Sequence, residues 1–326
     1  MRAHVRVLLP AAAAALVLPL AANSTAGAAS PLPTSAPQAA AATAWSPIPA
    51  YDKARVDHPA IYFNGCNAAR EVLTPKPCTM ANASAARTVM LFGDSHAAQW
   101  YSAVEGAARA NGWRFRTLTK SGCSPLAMPI SRYKESAPYS ECGTWRTRAL
   151  NGLASGAYGR IDVLVISSWQ FHGVLPSWSG GTKLTGAAKT YRWEQALRTT
   201  ISKSLGSTTQ VVVLRDSPQL PGDKPWAQRC FVRWQQWAGV HCGQASSKAL
   251  LSSIWAAERR AVAAYPGRAA AADLTTAQCP SSWCGPLQGR YLLFKDDNHW
   301  TQTHVRVHLT SPVQQVLVAA MSRATA

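Results

Sequence analysis

The sequence predicts a three-layer α/β/α domain around a central parallel sheet, and three observations carry that prediction. Nearly continuous apolar runs of strand length occur at residues 88–92, 161–167 and 210–214, as expected of strands buried on both faces. Segments of helical periodicity lie between them, and an alternation of strands and helices places crossovers on both faces of a parallel sheet. The first of these runs leads straight into Gly93-Asp94-Ser95, and a helical pattern starts at once behind it. That puts a serine hydroxyl at the C-terminal edge of the sheet and at a helix N-terminus, where open α/β sheets bind ligands and where an oxyanion is favoured.

The elements follow in order. Arg2 and Arg6 precede an apolar run over residues 7–22 and an Ala26-Gly27-Ala28 cleavage pattern, so residues 1–28 read as a secretory signal peptide. Residues 29–50 are rich in Ala, Pro, Ser and Thr and read as a linker. A single catalytic domain is expected over 51–326. Its lead, 51–87, has few periodic apolar positions. The strand at 88–92 is followed by a helix over 96–111, with Ala97, Trp100, Tyr101, Val104 and Ala108 on one face and Asn111-Gly112 as its stop. Residues 113–118 alternate as a second strand. A helix over 141–153, a strand over 161–167, a helix over 191–205 and a strand over 210–214 come next. Residues 216–245 hold Pro218, Pro221 and Pro225 with clustered aromatics, and read as an irregular active-site insertion. A helix over 246–265, a last core strand within 268–274, a short strand over 291–294 and a closing helix from 301 complete the domain. Ser311-Pro312 resembles a second N-cap and first turn. No segment beyond the leader is apolar enough to cross a membrane.

Eight cysteines in an exported chain point to disulfides that staple loops. Sequential pairing is expected, Cys66 with Cys78, Cys123 with Cys142, Cys230 with Cys242 and Cys279 with Cys284, because each pair then clips a single loop. A zinc site at Cys279 and Cys284 lacks a matching His/Cys pair, and no metal is expected. The chain carries 33 basic and 15 acidic residues, a net charge of +18; removal of Arg2 and Arg6 leaves +16. This excess suits anionic wall polymers, or simply a solvated basic surface. The scatter of basic residues and the lack of any nucleic-acid motif argue against nucleic acid.

Chemistry concentrates at two places. Ser95 needs a base to become a nucleophile, and Asp296-Asp297-Asn298-His299 supplies one near the C-terminus. A turn spanning Asp-x-x-His brings Asp296 to one ring nitrogen of His299, leaving the other for Ser95. Asp94 is expected to orient the turn through hydrogen bonds to nearby backbone N–H groups, and His96 to pack. The same Asp and His residues read as metal ligands would need further acidic or His-x-His partners, which are lacking.

These motifs are similar to those of the SGNH (GDSL-like) hydrolase superfamily, with its first Gly-Asp-Ser block and last Asp-x-x-His block. More closely, the chain resembles the SGNH domains fused behind membrane acyltransferases that O-acylate bacterial surface polysaccharides. The resemblance rests on residues 91–100, 118–125 and 294–300, and the cysteines from 123 onward fit that group's layout. It implies a flavodoxin-like fold, a nucleophilic Ser95, His299 as base and Asp296 in support. It also implies an oxyanion hole with the Ser95 N–H as first donor and Gly122 as second. The third block's asparagine is missing from Ser167-Ser168-Trp169-Gln170, where Gln170 stands as a substitute donor or as a solvent-facing side chain.

The resemblance implies a secreted or wall-associated carbohydrate O-acyl esterase or O-acyltransferase, with an O-acetyl glycan as substrate and no cofactor. Either a separate membrane acyltransferase partner supplies the acyl group, or the protein works alone as an esterase. Trp169 and Trp226 are candidate sugar-binding residues. Trp226, Trp234, Trp237 and Trp283 suit sugar stacking and loop packing equally. A non-catalytic carbohydrate or cell-wall binding protein on the same fold is the alternative.

Overall fold

The computed structural model describes residues 45–222 and 224–324. The expected signal peptide and residues 29–44 of the expected linker lie outside the described residues. Residues 45–50, expected to close that linker, are instead tied to the domain. The Ile48 N–H donates to the Arg290 carbonyl at 2.7 Å, and the Leu292 N–H donates to the Ile48 carbonyl at 2.9 Å.

The sheet has seven strands: β1 (Asn67–Ala68), β2 (Cys78–Ala81), β3 (Thr88–Gly93), β4 (Arg114–Lys120), β5 (Ile161–Ser167), β6 (Thr208–Leu214) and β7 (Ala269–Ala272). Six run parallel in the order β1-β4-β3-β5-β6-β7, and β2 pairs antiparallel with β4. The main helices are α1 (Tyr101–Ala110), α2 (Ser140–Ser155), α3 (Gly186–Ser204), α4 (Ser252–Ala263) and α5 (Thr310–Arg323). Strand period two divides the apolar runs between two cores. Val89 and Leu91 of β3 join Val104 of α1 and Leu317 of α5 on one face. Met90 and Phe92 join Trp145 of α2, Leu197 of α3 and Ile254 of α4 on the other. Each such side chain contributes about 2 kcal/mol by leaving water, which is why both faces of these strands are apolar. This is the expected three-layer α/β/α architecture.

The chain builds β3 and then β4 beside it, crosses back over β3 to β5, and continues outward to β6 and β7. With right-handed crossovers, that reversal puts α1 on one face and α2 to α4 on the other. It also makes the C-terminal end of β3 the switch point of the sheet.

Five regions depart from expectation, one being the helix expected over 246–265, which divides into Ser246–Ala249 and α4. The lead supplies β1 and β2, which extend the sheet past β4; they are short edge strands with weak periodicity. The helix expected over 96–111 divides into the turn Ser95–Ala98 and α1. The insertion expected to be irregular contains an eleven-residue helix, Lys224–Trp234, with Pro225 in its first turn, where a missing N–H costs nothing. The closing helix begins at Gln302–His304, capped by the Thr301 hydroxyl, and runs through a π turn, Val305–Leu309, into α5. Pro312 therefore follows a widened turn and does not start a separate helix. The four disulfides join the cysteines in sequential pairs.

Candidate active site

β3 ends at Gly93 because no side chain fits there. A Cβ would lie 2.2 Å from the Ser167 carbonyl oxygen and 2.6 Å from Ala97 Cβ. The close approach lets the chain leave the sheet and enter the turn Ser95–Ala98 at once. Asp94 caps that turn: its Oδ1 accepts from the His96 N–H at 2.8 Å. Its Oδ2 accepts from the Trp169 N–H at 2.9 Å and the Ser168 hydroxyl at 3.2 Å, and lies 2.7 Å from His172 Nε2. Burial pushes the Asp94 carboxyl up, but the bond to His172 and the nearby imidazole charges outweigh it and hold the group at about 2. Asp94 thus ties the Ser95 turn to the end of β5.

A second tight loop brings the C-terminal residues to Ser95. A bridge between Phe294 and Trp300, and the Lys295 N–H donating to the His299 carbonyl at 3.0 Å, close the loop over 295–299. Inside it, Asp296 Oδ1 accepts the N–H groups of Asn298 (3.1 Å) and His299 (2.7 Å). His299 Nδ1 lies 3.1 Å from both Asp296 oxygens, and its Nε2 lies 2.9 Å from Ser95 Oγ. Burial pushes Asp296 up, but the His299 contact and the Lys295 charge hold it well below the usual carboxylate range. Burial pushes His299 below the usual imidazole value; Asp296 pulls it up and the neighbouring His96 pushes it down again, with a net lowering. A largely neutral imidazole with Nδ1–H on a carboxylate and its Nε2 lone pair on a serine hydroxyl can take the serine's proton.

Ser95 and His299 open into a cavity of about 880 Å³. Gly122 and Trp169 line it, as does His96. Gly122 has φ +62°, a left-handed conformation that turns the chain directly after β4. Two expected residues are elsewhere. Gln170 is buried with its backbone N–H on Asp216 and its amide nitrogen on Glu258, both at 2.8 Å, so its donors serve the interior and not an oxyanion. Trp226 packs on the core and over Gly222, outside the cavity lining. Of the other tryptophans, Trp234 stacks on His241 and Trp283 donates to the Gly239 carbonyl, both within the stapled loops.

Residues 65–307 match the family described as SGNH domain (fused to AT3 domains). The chain belongs to that family. Membership makes it an SGNH-type ester hydrolase or O-acyltransferase. Among solved structures, this SGNH domain is similar in fold to the periplasmic domain of the Salmonella ser. Paratyphi A lipopolysaccharide acetyltransferase. The two are 15% identical with a TM-score of 0.50, over 79% of this chain and 88% of that one. A carbohydrate esterase family 2 enzyme with a carbohydrate-binding domain, from Corynascus thermopiles (Myceliophthora fergusii), also aligns, at 15% identity and a TM-score of 0.42, over 73% and 67%. No curated protein matches the sequence.

The SGNH site contains a feature that sequence reading passed over. Asp216 follows β6 and meets His96 Nδ1 at 2.6 Å, with both side chains buried. Its Oδ2 accepts from Gln170 and its Oδ1 from the Ser217 N–H. The His96 ring centroid lies 4.5 Å from that of His299. Burial pushes His96 down, but Asp216, helped by Asp94 and Asp296, raises it above the usual imidazole value. The signal was an acidic residue just past a core strand, at the sheet edge where this fold places its ligands.

Proposed function

We propose that this SGNH domain is a secreted, serine-dependent carbohydrate O-acyl esterase or O-acyltransferase that works through an acyl-enzyme on Ser95. The observation that carries the reading is the line from Asp296 through His299 to Ser95, at 3.1 and 2.9 Å, at the wall of a cavity large enough for sugar residues. His299 Nε2 takes the hydroxyl proton as Ser95 Oγ bonds to the ester carbonyl carbon. The carbonyl electron pair moves to oxygen, facing the N–H groups of Ser95 and Gly122. When it returns, the bond to the leaving alcohol breaks and that alcohol takes the proton from His299. Water or a sugar hydroxyl then gives its proton to His299 as its oxygen bonds to the acyl carbon; when that second intermediate collapses, the bond to Ser95 Oγ breaks and Oγ takes the proton back from His299. Asp296 holds the ring tautomer and offsets the imidazolium charge throughout.

The acyl group is proposed to be acetyl, donated either by an acylated glycan or by a separate membrane acyltransferase. Among the described residues all eight cysteines are paired and no helix is long and apolar enough to cross a membrane. The disulfides support an oxidising, extracytoplasmic setting. The test is turnover of short-chain p-nitrophenyl esters by the protein and by its Ser95→Ala and His299→Ala variants, with and without sugar acceptors. Serine-dependent cleavage supports acyl transfer chemistry, and acylated sugar in the products assigns transfer. A folded protein that binds glycan and cleaves no ester would favour a binding role.

A further inference from the structure

We propose that the Ser95 cavity selects carbohydrate esters carrying a negative charge, a carboxylate or a phosphate, close to the acylated hydroxyl. The proposal rests on the acyl-transfer reading above and names its substrate class. Four separate segments present cations to the cavity: Arg70 after β1, Arg132 and Lys134 after β4, Lys183 after β5, and Lys295 beside the Asp-x-x-His loop. Among the described residues the only carboxylates in its lining are the adjacent Asp296 and Asp297, and Asp296 is taken up by His299.

The neighbouring acids Glu71, Glu135 and Glu141 do not line the Ser95 cavity; they line an adjacent recess, whose wall Arg70 and Arg132 share. Arg132 reaches across to Glu141 at 2.5 Å, and Lys295 lies 2.8 Å from His58 Nδ1 and 4.0 Å from Asp296. Those two are committed within the protein. Among the described residues, Arg70, Lys134 and Lys183 have no carboxylate at ion-pair distance. Lys183 is also fitted in place. A Cβ on Gly173 would meet Lys183 Cδ and Cε at 3.0 Å and Ser131 Oγ at 2.4 Å, so the lysine stem packs against bare backbone in the cavity wall. A concave site of one sign concentrates ligands of the other, and its low-dielectric walls strengthen the effect. The aromatic rings of Trp169 and Tyr133, 5.6 Å apart by centroid, flank the same space and suit a sugar face.

The experiment compares kcat/KM of the full-length protein on O-acetylated oligogalacturonate, an O-acetylated poly(glycerol phosphate) and an O-acetylated neutral galactan, with p-nitrophenyl acetate alongside. The expected result is a preference on the order of tenfold for an anionic arm over the neutral one, mostly in KM and shrinking as salt is raised. Which anionic arm responds identifies the charged group. The anionic-to-neutral ratio should fall towards one in the Lys134→Gln/Lys183→Gln variant. Equal kcat/KM on charged and neutral arms, with p-nitrophenyl acetate still cleaved, overturns the proposal and leaves the acyl chemistry standing. Cleavage of none of the four by a folded protein would instead sink the acyl reading. Titration calorimetry with unacetylated oligogalacturonate and poly(glycerol phosphate) then decides anion recognition: salt-sensitive binding upholds it, and no binding overturns it.

Discussion

Replacing Asp216 with Asn should move the acid limb of the pH–rate profile upward. His96 is faced by Asp216 after β6, by Asp94 in its own turn, and by Asp296 and His299 from the C-terminal loop. Asp216 makes the 2.6 Å contact and does most to hold His96 in its charged form. With Asn at 216 the buried ring loses that support and becomes neutral, and the positive charge beside His299 disappears. His299 must be neutral to act as base, so activity is lost as pH falls through its folded value, which His96 helps to keep low. At the 4.5 Å ring separation, one unit charge on another amounts to about 3.7 kcal/mol at an effective dielectric of about 20 and about 0.9 kcal/mol at about 80. The acid limb should therefore rise by roughly 0.7 to 2.7 pH units. The assay is kcat/KM on p-nitrophenyl acetate from pH 4 to 9, with circular dichroism and thermal melting to show that the variant is folded. An acid limb that stays in place, or moves down, in a folded Asp216→Asn protein refutes the reasoning.

Three more predictions concern the frame. Gly93→Ala should destabilise the domain by about 3 kcal/mol, because its methyl group meets the Ser167 carbonyl at 2.2 Å and backbone has to move; urea midpoints measure this. Asp94, held at about 2 against an ordinary 3.8, contributes stability that is fully present above about pH 4 and is lost as pH falls towards about 2. Asp94→Asn should accordingly cost about 2 kcal/mol at pH 7 and much less near pH 2, which denaturation at the two pH values would check. Opening Cys123–Cys142 with a double serine substitution should cost about 3 kcal/mol, given its separation of 19 residues, and calorimetry would record it as a lower Tm.

What could be read from the sequence was what neighbours in sequence determine. β3, Gly93, Asp94 and Ser95 form one continuous signal, and Asp296 to His299 form another. Each motif makes its own hydrogen bonds locally, as in the Asp94 cap and the Asp296 loop. The doubly buried strands were legible because both faces must be apolar. The Asp216–His96 pair was not, since 120 residues separate its members and Asp216 opens a segment whose prolines suggest irregular chain. The fate of Gln170 was equally hidden: its buried partner Glu258 lies on α4, 88 residues away. Strands β1 and β2 escaped notice because two or four residues carry little periodicity, and they pair by completing the edge of β4.

The central claim is that Ser95 is a nucleophile activated by His299. The most direct measurement is covalent labelling with a fluorophosphonate, followed by peptide mapping of the protein and of its His299→Ala variant. The account predicts a single adduct on the peptide containing Ser95, forming quickly in the unaltered protein and far more slowly without His299. An unlabelled Ser95 in folded protein, or labelling that proceeds at the same rate without His299, would contradict it.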